Sequence, residues 1–491
     1  MRLRTLVGLL VAAPALPATE GFYKDIFMDG GTGLTHRTRL YAAESLGLSM
    51  EYLARDDSLL LLQIVKGSAD DVNGYLLYPD GAPRFRLIYT NGGNAGRHGR
   101  ALGDSGRQRI RDFVAQGGSY TGSCAGAYLA ALSPSDSGVE PTFYHLWPGR
   151  TKDAGIYGAE VDHSVVPGSA LLRYYDFGGD RFIANVYHNG GCWANESITW
   201  PQGTEVLVRY DTTGIRAHNK ASTWAFKAAE TTGRVVVTGS HPEGYYFGER
   251  LQLFMAMVRY ALDGVAGPRI KGVLANGIPR VMNRATGADP AYVKIGDRQY
   301  HHFGCRLPQG ATHLRVELAA SDSFQLNLYL CRDSFAFRSR AQFMDTSPAG
   351  HKELFVPQPQ AGTWFVGVEC ASSVRTYGDS CFLYHDSLGV LNGVAYTVTA
   401  SWDSLGGVAE TADKETRMAN NGATVVRRVL HWQPGIDRRQ SATVLMDGAG
   451  HKVMELQPGA NDIRHLAPGV YFVRVARAPG RLANMKVIVI R

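Results

Sequence analysis

The chain has 491 residues, enough for about three domains on length alone. Hydrophobic residues make up 45% and charged residues 19%, the balance of a folded globular protein rather than a disordered one. The net charge of +7 is confined to residues 421–491, which hold 11 basic and 4 acidic residues, so no chain-wide basic face exists and nucleic acid is not indicated as a partner.

Met1-Arg2-Leu3-Arg4, an apolar run from Leu6 to Ala13, and the small residues of Ala13-Pro14-Ala15 and Leu16-Pro17-Ala18 follow the order of a secretory signal peptide over residues 1–18. That run is too short to span a bilayer, and no later segment is long enough, so no transmembrane segment is expected. Residues 24–29 are expected to form the first strand, followed by the loop Gly30-Gly31-Thr32-Gly33 and a helix over about 34–46. Residues 49–54 make the next strand, and 59–65 an apolar stretch with an acidic turn after it. A further strand covers 85–90 and runs into the loop Asn91-Gly92-Gly93-Asn94. Gly96-Arg97-His98-Gly99-Arg100 reads as a solvated turn, and Asp104 caps a helix reaching about Gln116, with Ile110, Phe113 and Val114 on its buried side. Strand and helix alternating at this spacing predict an α/β domain with a mainly parallel sheet.

Residues 117–130 carry the strongest signal. A short strand ends in Gly122-Ser123-Cys124-Ala125-Gly126, and a small-residue helix begins at once. This is the pattern of a nucleophile elbow with cysteine in place of serine. Glycines on both sides suit a strained nucleophile and close backbone packing, and the helix start favours a thiolate. Residues 135–230 form an insert of short strands, in which 221–228 are suited to pair beside the strand that follows. That strand, Val235-Val236-Val237-Thr238, delivers His241 and Glu243 through Gly239-Ser240-His241-Pro242-Glu243. A cysteine nucleophile needs a base, and the base an orienting carboxylate; Cys124, His241 and Glu243 supply the three types, each just after a strand. A helix over 250–262 closes the domain.

Gly-x-Cys-x-Gly followed by a strand ending in His-Pro-Glu resembles the class I glutamine amidotransferase superfamily. The Cys124-Ala125-Gly126-Ala127-Tyr128 version looks most like the amidotransferase-like domain named after the N-terminal part of some biotin–protein ligases. The resemblance covers residues 22–265 and implies a flavodoxin-like sheet with a Cys124–His241–Glu243 triad. In the chemistry it implies, Cys124 attacks an amide or ester carbonyl, His241 shuttles the proton and Glu243 holds the imidazole. The backbone N–H of Ala125 and one from Gly92-Gly93 would hold the oxyanion.

Residues 270–403 alternate, as in His313-Leu314-Arg315-Val316-Glu317-Leu318 and Thr363-Trp364-Phe365-Val366-Gly367-Val368, and predict a β-sandwich. Leu307-Pro308-x-Gly310, the Leu328-Tyr329 strand and Pro359-x-Ala361-Gly362-Thr363-Trp364 resemble the pre-peptidase C-terminal domain of secreted bacterial hydrolases; Gln325 and Asn327 replace the aspartates that hold calcium in some members. Residues 404–421 read as a linker. In 422–491, Asp447-x-x-Gly450-His451-Lys452-Val453, Leu466-Ala467-Pro468-Gly469-Val470-Tyr471 and the final Lys486-Val487-Ile488-Val489-Ile490 resemble a type IX secretion C-terminal sorting domain. That resemblance implies recognition by the type IX secretion machinery and a secreted or surface location on a Gram-negative bacterium, with removal of the segment left open.

Of six cysteines, Cys305, Cys331, Cys370 and Cys381 favour two disulfides in an exported chain. Three pairings are open, and proximity favours Cys305–Cys331 with Cys370–Cys381. Gly190-Gly191 lets backbone approach a ligand, which makes Asn189, Gly190 and Gly191 candidates for lining the pocket; Cys192 is then either a pocket thiol or a packed one. Asp162, His163 and His188 lack metal-ligand spacing, and phosphate-binding Gly-Lys-Ser/Thr loops are absent, so neither metal nor other cofactor is expected. With no synthetase domain alongside, hydrolysis of an amide or peptide-like substrate is the more economical reaction than ammonia delivery. The reading from a different class is a surface binding or scaffold protein whose first domain is a degenerate enzyme.

Overall fold

The computed structural model describes residues 20–55, 73–198, 200–320, 324–376, 384–385 and 388–404, and shorter stretches between 424 and 489. The expected signal peptide, the apolar stretch 59–65, nearly all of the linker and Cys381 lie outside the described residues. The chain divides into two compact units, Met1–Gly407 and Val408–Arg491.

The first unit is mixed α/β, with few helices and many strands. Its largest sheet contains β1 (Lys24–Asp29), β2 (Met50–Leu53), β3 (Phe85–Thr90), β4 (Ser119–Ser123), β5 (Thr151–Asp153), β6 (Ala159–Val165), β7 (Phe182–His188), β8 (Cys192–Ala194), β9 (Thr204–Tyr210), β10 (Ala221–Phe226) and β11 (Val235–Thr238). The order is β2-β1-β3-β4-β11-β10-β9-β6-β7, with β5 and β8 attached beside β10. The run β2-β1-β3-β4-β11 is parallel throughout. Every pairing beyond β11 is antiparallel. The mainly parallel sheet expected from the sequence is therefore only partly realised. The difference lies in the insert, whose strands β5–β10 pair only antiparallel.

β3, β4 and β11 are buried on both faces; β11 accordingly reads as a continuous rather than alternating apolar run, whereas β4, Ser119-Tyr120-Thr121-Gly122-Ser123, is built from small and polar residues. Phe27, Ile88, Tyr120 and Val237 pack to one side with Leu102, Ile110 and Phe113. Ile26, Met28, Leu87 and Val236 pack to the other with Phe254, Met257 and Val258. Among the described residues four α-helices flank the sheet: α1 (Tyr41–Ser45), α2 (Ala95–Ala115), α3 (Ala125–Ala130) and α4 (Gly248–Leu262). The helix expected over 34–46 shrinks to the single turn of α1. α2 begins nine residues before Asp104. Asn94 caps it by accepting the Arg97 N–H at 2.9 Å, and Gly103, at φ +61°, breaks it in two. The segment read as a solvated turn is thus helical and partly core: His98 is fully buried, its Nε2 3.0 Å from Asp29.

Residues 270–404 add two further sheets to the same unit. Their strands are β12 (Ile270–Leu274), β13 (Arg280–Met282), β14 (Tyr300–Leu307), β15 (Ala311–Ala320), β16 (Leu326–Arg332), β17 (Phe343–Asp345), β18 (His351–Val356), β19 (Gly362–Cys370), β20 (Arg375–Thr376), β21 (Tyr384–His385) and β22 (Tyr396–Ser404). The sheets β12-β14-β19-β16-β17 and β13-β22-β15-β18 enclose a core of Phe303, Leu328, Val366, Leu318 and Val398. β20 and β21 form a separate ribbon. Cys305 and Cys331 do not pair. They flank β19 on its two sides, opposite Trp364 and Phe365 respectively. Two strand spacings separate them by about 10 Å, and neighbouring β19 residues face opposite ways, so the sulfurs lie beyond disulfide reach. Cys370 is likewise a free, buried thiol.

Two buried ion pairs join the α/β part to the sandwich. Arg84 meets Asp297 at 2.9 Å with both side chains nearly solvent-free. Asp80 holds Lys271 and lies 3.4 Å from His301.

In the second unit, a five-stranded sheet and a two-stranded one surround Leu430, Leu445, Leu456, Ile463 and Val473. Among the described residues no helix is long and apolar enough to cross a membrane.

Candidate active site

Cys124 follows β4 and precedes α3 in a left-handed conformation, φ +50° and ψ −102°, unusual for a residue with a side chain. Such strain costs on the order of 1–3 kcal/mol and persists where surroundings enforce it. The flanking glycines allow the turn. A methyl on Gly122 would lie 2.8 Å from the Gly126 backbone, and one on Gly126 would lie 2.5 Å from the Thr90 carbonyl oxygen. The Cys124 N–H donates to the Thr238 carbonyl at 2.9 Å, tying the elbow to the strand that carries the histidine.

Beyond β11 the chain makes a tight turn in which Pro242–Gly244 form one 3₁₀ turn, placing His241 and Glu243 side by side. His241 Nδ1 lies 2.9 Å from Glu243 Oε1. The His241 N–H donates to the Tyr187 carbonyl at 2.8 Å, and the Tyr187 ring lies 5.7 Å from the imidazole. Burial alone would lower the His241 pKa. The Glu243 charge and hydrogen bonds with Cys124 and Glu243 outweigh it, raising the value to about 10. Burial works against the Glu243 carboxylate, yet the facing imidazole holds its pKa below the ordinary value. Thiol, imidazole and carboxylate, read from two places in the sequence, thus lie close to one another.

Gly92 completes the convergence. A methyl there would lie 2.4 Å from His241 Cε1 and 3.3 Å from Cys124 Cβ, so only glycine leaves room for both. Gly93, at φ +142°, has the Gly33 carbonyl 2.4 Å from where its Cβ would stand. The Ala125 N–H opens α3 and so has no intrahelical acceptor. Cys124 Sγ donates to the Asn189 carbonyl at 3.5 Å, which puts the β7–β8 turn at the site. Gly190 takes φ +68° beside the Tyr157 ring. Gly191 packs closely on the strand that leads to the histidine: a methyl there would lie 1.8 Å from the Gly239 carbonyl. Cys192 is fully buried in the core, and burial pushes its thiol pKa well up, so it is a packed cysteine.

Sequence reasoning missed a buried polar layer behind the imidazole. Ser240 Oγ lies 3.0 Å from both His163 Nε2 and His188 Nδ1. Tyr210 donates to the Cys192 carbonyl at 2.9 Å beneath them. Burial lowers His163 to about 3 and His188 to about 4, so both rings are neutral. Ser240 precedes His241 and His188 precedes Asn189, so this layer fixes both walls of the site. No local motif announces it, because its members are 52 and 77 positions apart.

Residues 82–134 match a family model described as biotin–protein ligase, N terminal. That segment carries Gly92, Gly93 and the Cys124 turn, and the match supports an amidotransferase-like domain around them. An uncharacterized protein of Chlamydia muridarum (strain MoPn / Nigg) is 29% identical over 150 residues, which span 28% of this chain and 56% of that protein. The chain thus matches little more than half of that relative's length. Among solved structures, a glutamine amidotransferase aligns with 47% of this chain and 98% of its own, at 14% identity and a TM-score of 0.31. The pre-peptidase C-terminal domain of a Bacillus anthracis collagenase aligns with 28% of this chain and 99% of its own, at 9% identity and a TM-score of 0.18.

Proposed function

We propose that the protein is an exported cysteine hydrolase that cleaves an amide bond with Cys124, His241 and Glu243. The observation that carries the reading is the convergence, against Gly92, of the Cys124 side chain on its strained elbow and an imidazole 2.9 Å from a buried carboxylate. In the proposed reaction the Cys124 thiolate attacks the carbonyl carbon. The oxyanion is held by the Ala125 N–H and an amide of the Gly92-Gly93 loop, worth about 3–4 kcal/mol per donor in the transition state. The C–N bond then breaks as His241 gives its proton to the leaving nitrogen. Water, deprotonated by His241, next attacks the thioester, releasing the acid and restoring the thiol. The parallel order β2-β1-β3-β4-β11 supports a flavodoxin-like class, in which sites form at the carboxyl ends of such strands. The signal-peptide-like order of residues 1–18 and the resemblances of 270–403 and 422–491 support a secreted or surface setting, with the type IX secretion machinery as the proposed partner.

A second reading, a surface binding protein with a degenerate first domain, draws on one observation: Cys124 is only 4% exposed. Alkylation of the full chain by iodoacetamide, followed by peptide mapping, separates the two. The hydrolase reading expects rapid modification of Cys124 near neutral pH, slowed strongly in His241→Ala, and turnover of a member of an amide and ester panel that Cys124→Ala abolishes. An inert Cys124, or one whose rate ignores His241, overturns it.

A further inference from the structure

A second histidine–carboxylate pair stands beside the glycine loop of the candidate active site. Gly92 and Gly93 lead through Asn94 into α2, and one turn into that helix His98 is fully buried. Its Nδ1 lies 2.9 Å from the Thr32 carbonyl oxygen and its Nε2 3.0 Å from Asp29 Oδ2; Asp29 is itself solvent-free. A carbonyl oxygen only accepts, so Nδ1 carries a proton. A further proton between Nε2 and Oδ2 keeps two lone pairs from opposing each other, and it belongs to the stronger base, the imidazole. Burial alone would lower the His98 pKa, but the facing Asp29 carboxylate and the Thr32 carbonyl outweigh it and raise the value. The ring is thus an imidazolium at neutral pH, and each buried charge has the other as its counterion.

The pair grips one segment. Asp29 Oδ1 accepts the Gly31 N–H at 3.0 Å while His98 takes the Thr32 carbonyl, so two successive residues of Gly30-Gly31-Thr32-Gly33 are fixed by charged groups. Three glycines leave this loop little stiffness of its own. It lies directly on the loop that faces the triad. The Thr35 N–H donates to the Gly92 carbonyl at 2.7 Å, and the Asn94 N–H donates to the Gly33 carbonyl at 2.7 Å. Those two bonds flank an antiparallel bridge between Leu34 and Gly93, a pair not hydrogen-bonded to each other. The Gly93 N–H accordingly has no acceptor among the described residues. Anchoring by Asp29 and His98 therefore passes through Gly31–Leu34 to that unbonded amide, and to Gly92 with His241 and Cys124 against it.

We propose that His98 is a positioning residue: as an imidazolium paired with Asp29 it holds the 30–35 loop on Gly92-Gly93, and so sets the place of the amide that receives the oxyanion. This role rests on the hydrolase reading of Cys124 and involves no contact with a reacting atom.

Two reagents separate it from the thiol's own reactivity. p-Nitrophenyl acetate acylates a thiolate through a tetrahedral oxyanion, forming a thioester and expelling p-nitrophenolate; iodoacetamide alkylates the same sulfur by displacing iodide, with no oxyanion. In the full chain, His98→Gln cannot donate from two ring nitrogens. It should slow the p-nitrophenolate burst about 100-fold, the effect of losing an oxyanion donor, and leave alkylation of Cys124 near the parental rate. Cys124→Ala supplies the blank for both reactions. Should His98→Gln fail to fold, spectra of the His241→Ala chain with nitrogen-15-labelled histidine test the charge: a ring protected from solvent exchange and protonated on both nitrogens at neutral pH is expected, and its absence overturns the role. A folded His98→Gln acylated at the parental rate, or one in which both reactions slow equally, overturns it as well. A parent chain that is alkylated but not acylated does the same, whereas a parent inert to both reagents sinks the hydrolase reading itself and this role with it.

Discussion

Replacing Gly92 by alanine isolates the geometry on which the proposed chemistry depends. The added methyl would stand 2.4 Å from His241 Cε1 and 3.1 Å from Nδ1, against an ordinary contact beginning near 3.4 Å. The ring must therefore retreat by about 1 Å, lengthening either its 2.9 Å bond to Glu243 or its contact with the thiol. Residue 92 is outside the left-handed region, so alanine strains the imidazole and not its own backbone. A misplacement of that size costs about 100-fold in rate, or roughly 2.7 kcal/mol of barrier. The His241 side chain is 14% exposed at the rim, so the fold should lose no more than about 1 kcal/mol. The paired assay is the alkylation rate of Cys124 and the melting temperature of the same sample. A folded Gly92→Ala protein that reacts at the parental rate would refute the reasoning, since the ring could not then be where the thiol needs it.

Three further outcomes follow from the same structure. The folded pKa of His241 is raised from 6.5 to about 10, so the stability it contributes is full below pH 6.5 and lost as pH rises through about 10; melting curves should show that loss in the parent and not in Glu243→Gln. Asp297→Ala should cost about 3–5 kcal/mol in urea unfolding by removing the buried carboxylate that Arg84 pairs with, and an apolar replacement of both partners should recover most of it. Ser240→Ala should cost about 1–3 kcal/mol in thermal unfolding because it strips the shared partner from His163 and His188, whereas Ser240→Thr retains the hydroxyl and should lose less.

The parts of the site that were legible share one property: each rests on a short stretch whose chemistry is local. The elbow needs glycines two residues either side of the nucleophile, and the His241–Glu243 bond spans one intervening proline. The strands feeding them read correctly because both faces are buried. What escaped depended on distant partners. The Gly96–Arg100 segment looks polar in sequence, yet Asn94 caps it into a helix and Asp29 draws His98 into the core. The Ser240 layer exists only because the fold brings His163 inside β6 and His188 at the end of β7 to the residue that follows β11 by one turn. The cysteines of the sandwich looked pairable by proximity in the chain, but strand order placed β19 between two of them.

The Arg84–Asp297 bond has a practical meaning for anyone dividing this chain. Cutting before Ile270 would deliver an α/β fragment in which Arg84 has lost Asp297, and Asp80 its ammonium and imidazole neighbours. The sandwich is therefore no simply detachable accessory: it neutralises charges buried in its neighbour, and separating the two would demand compensating changes on both sides of the seam.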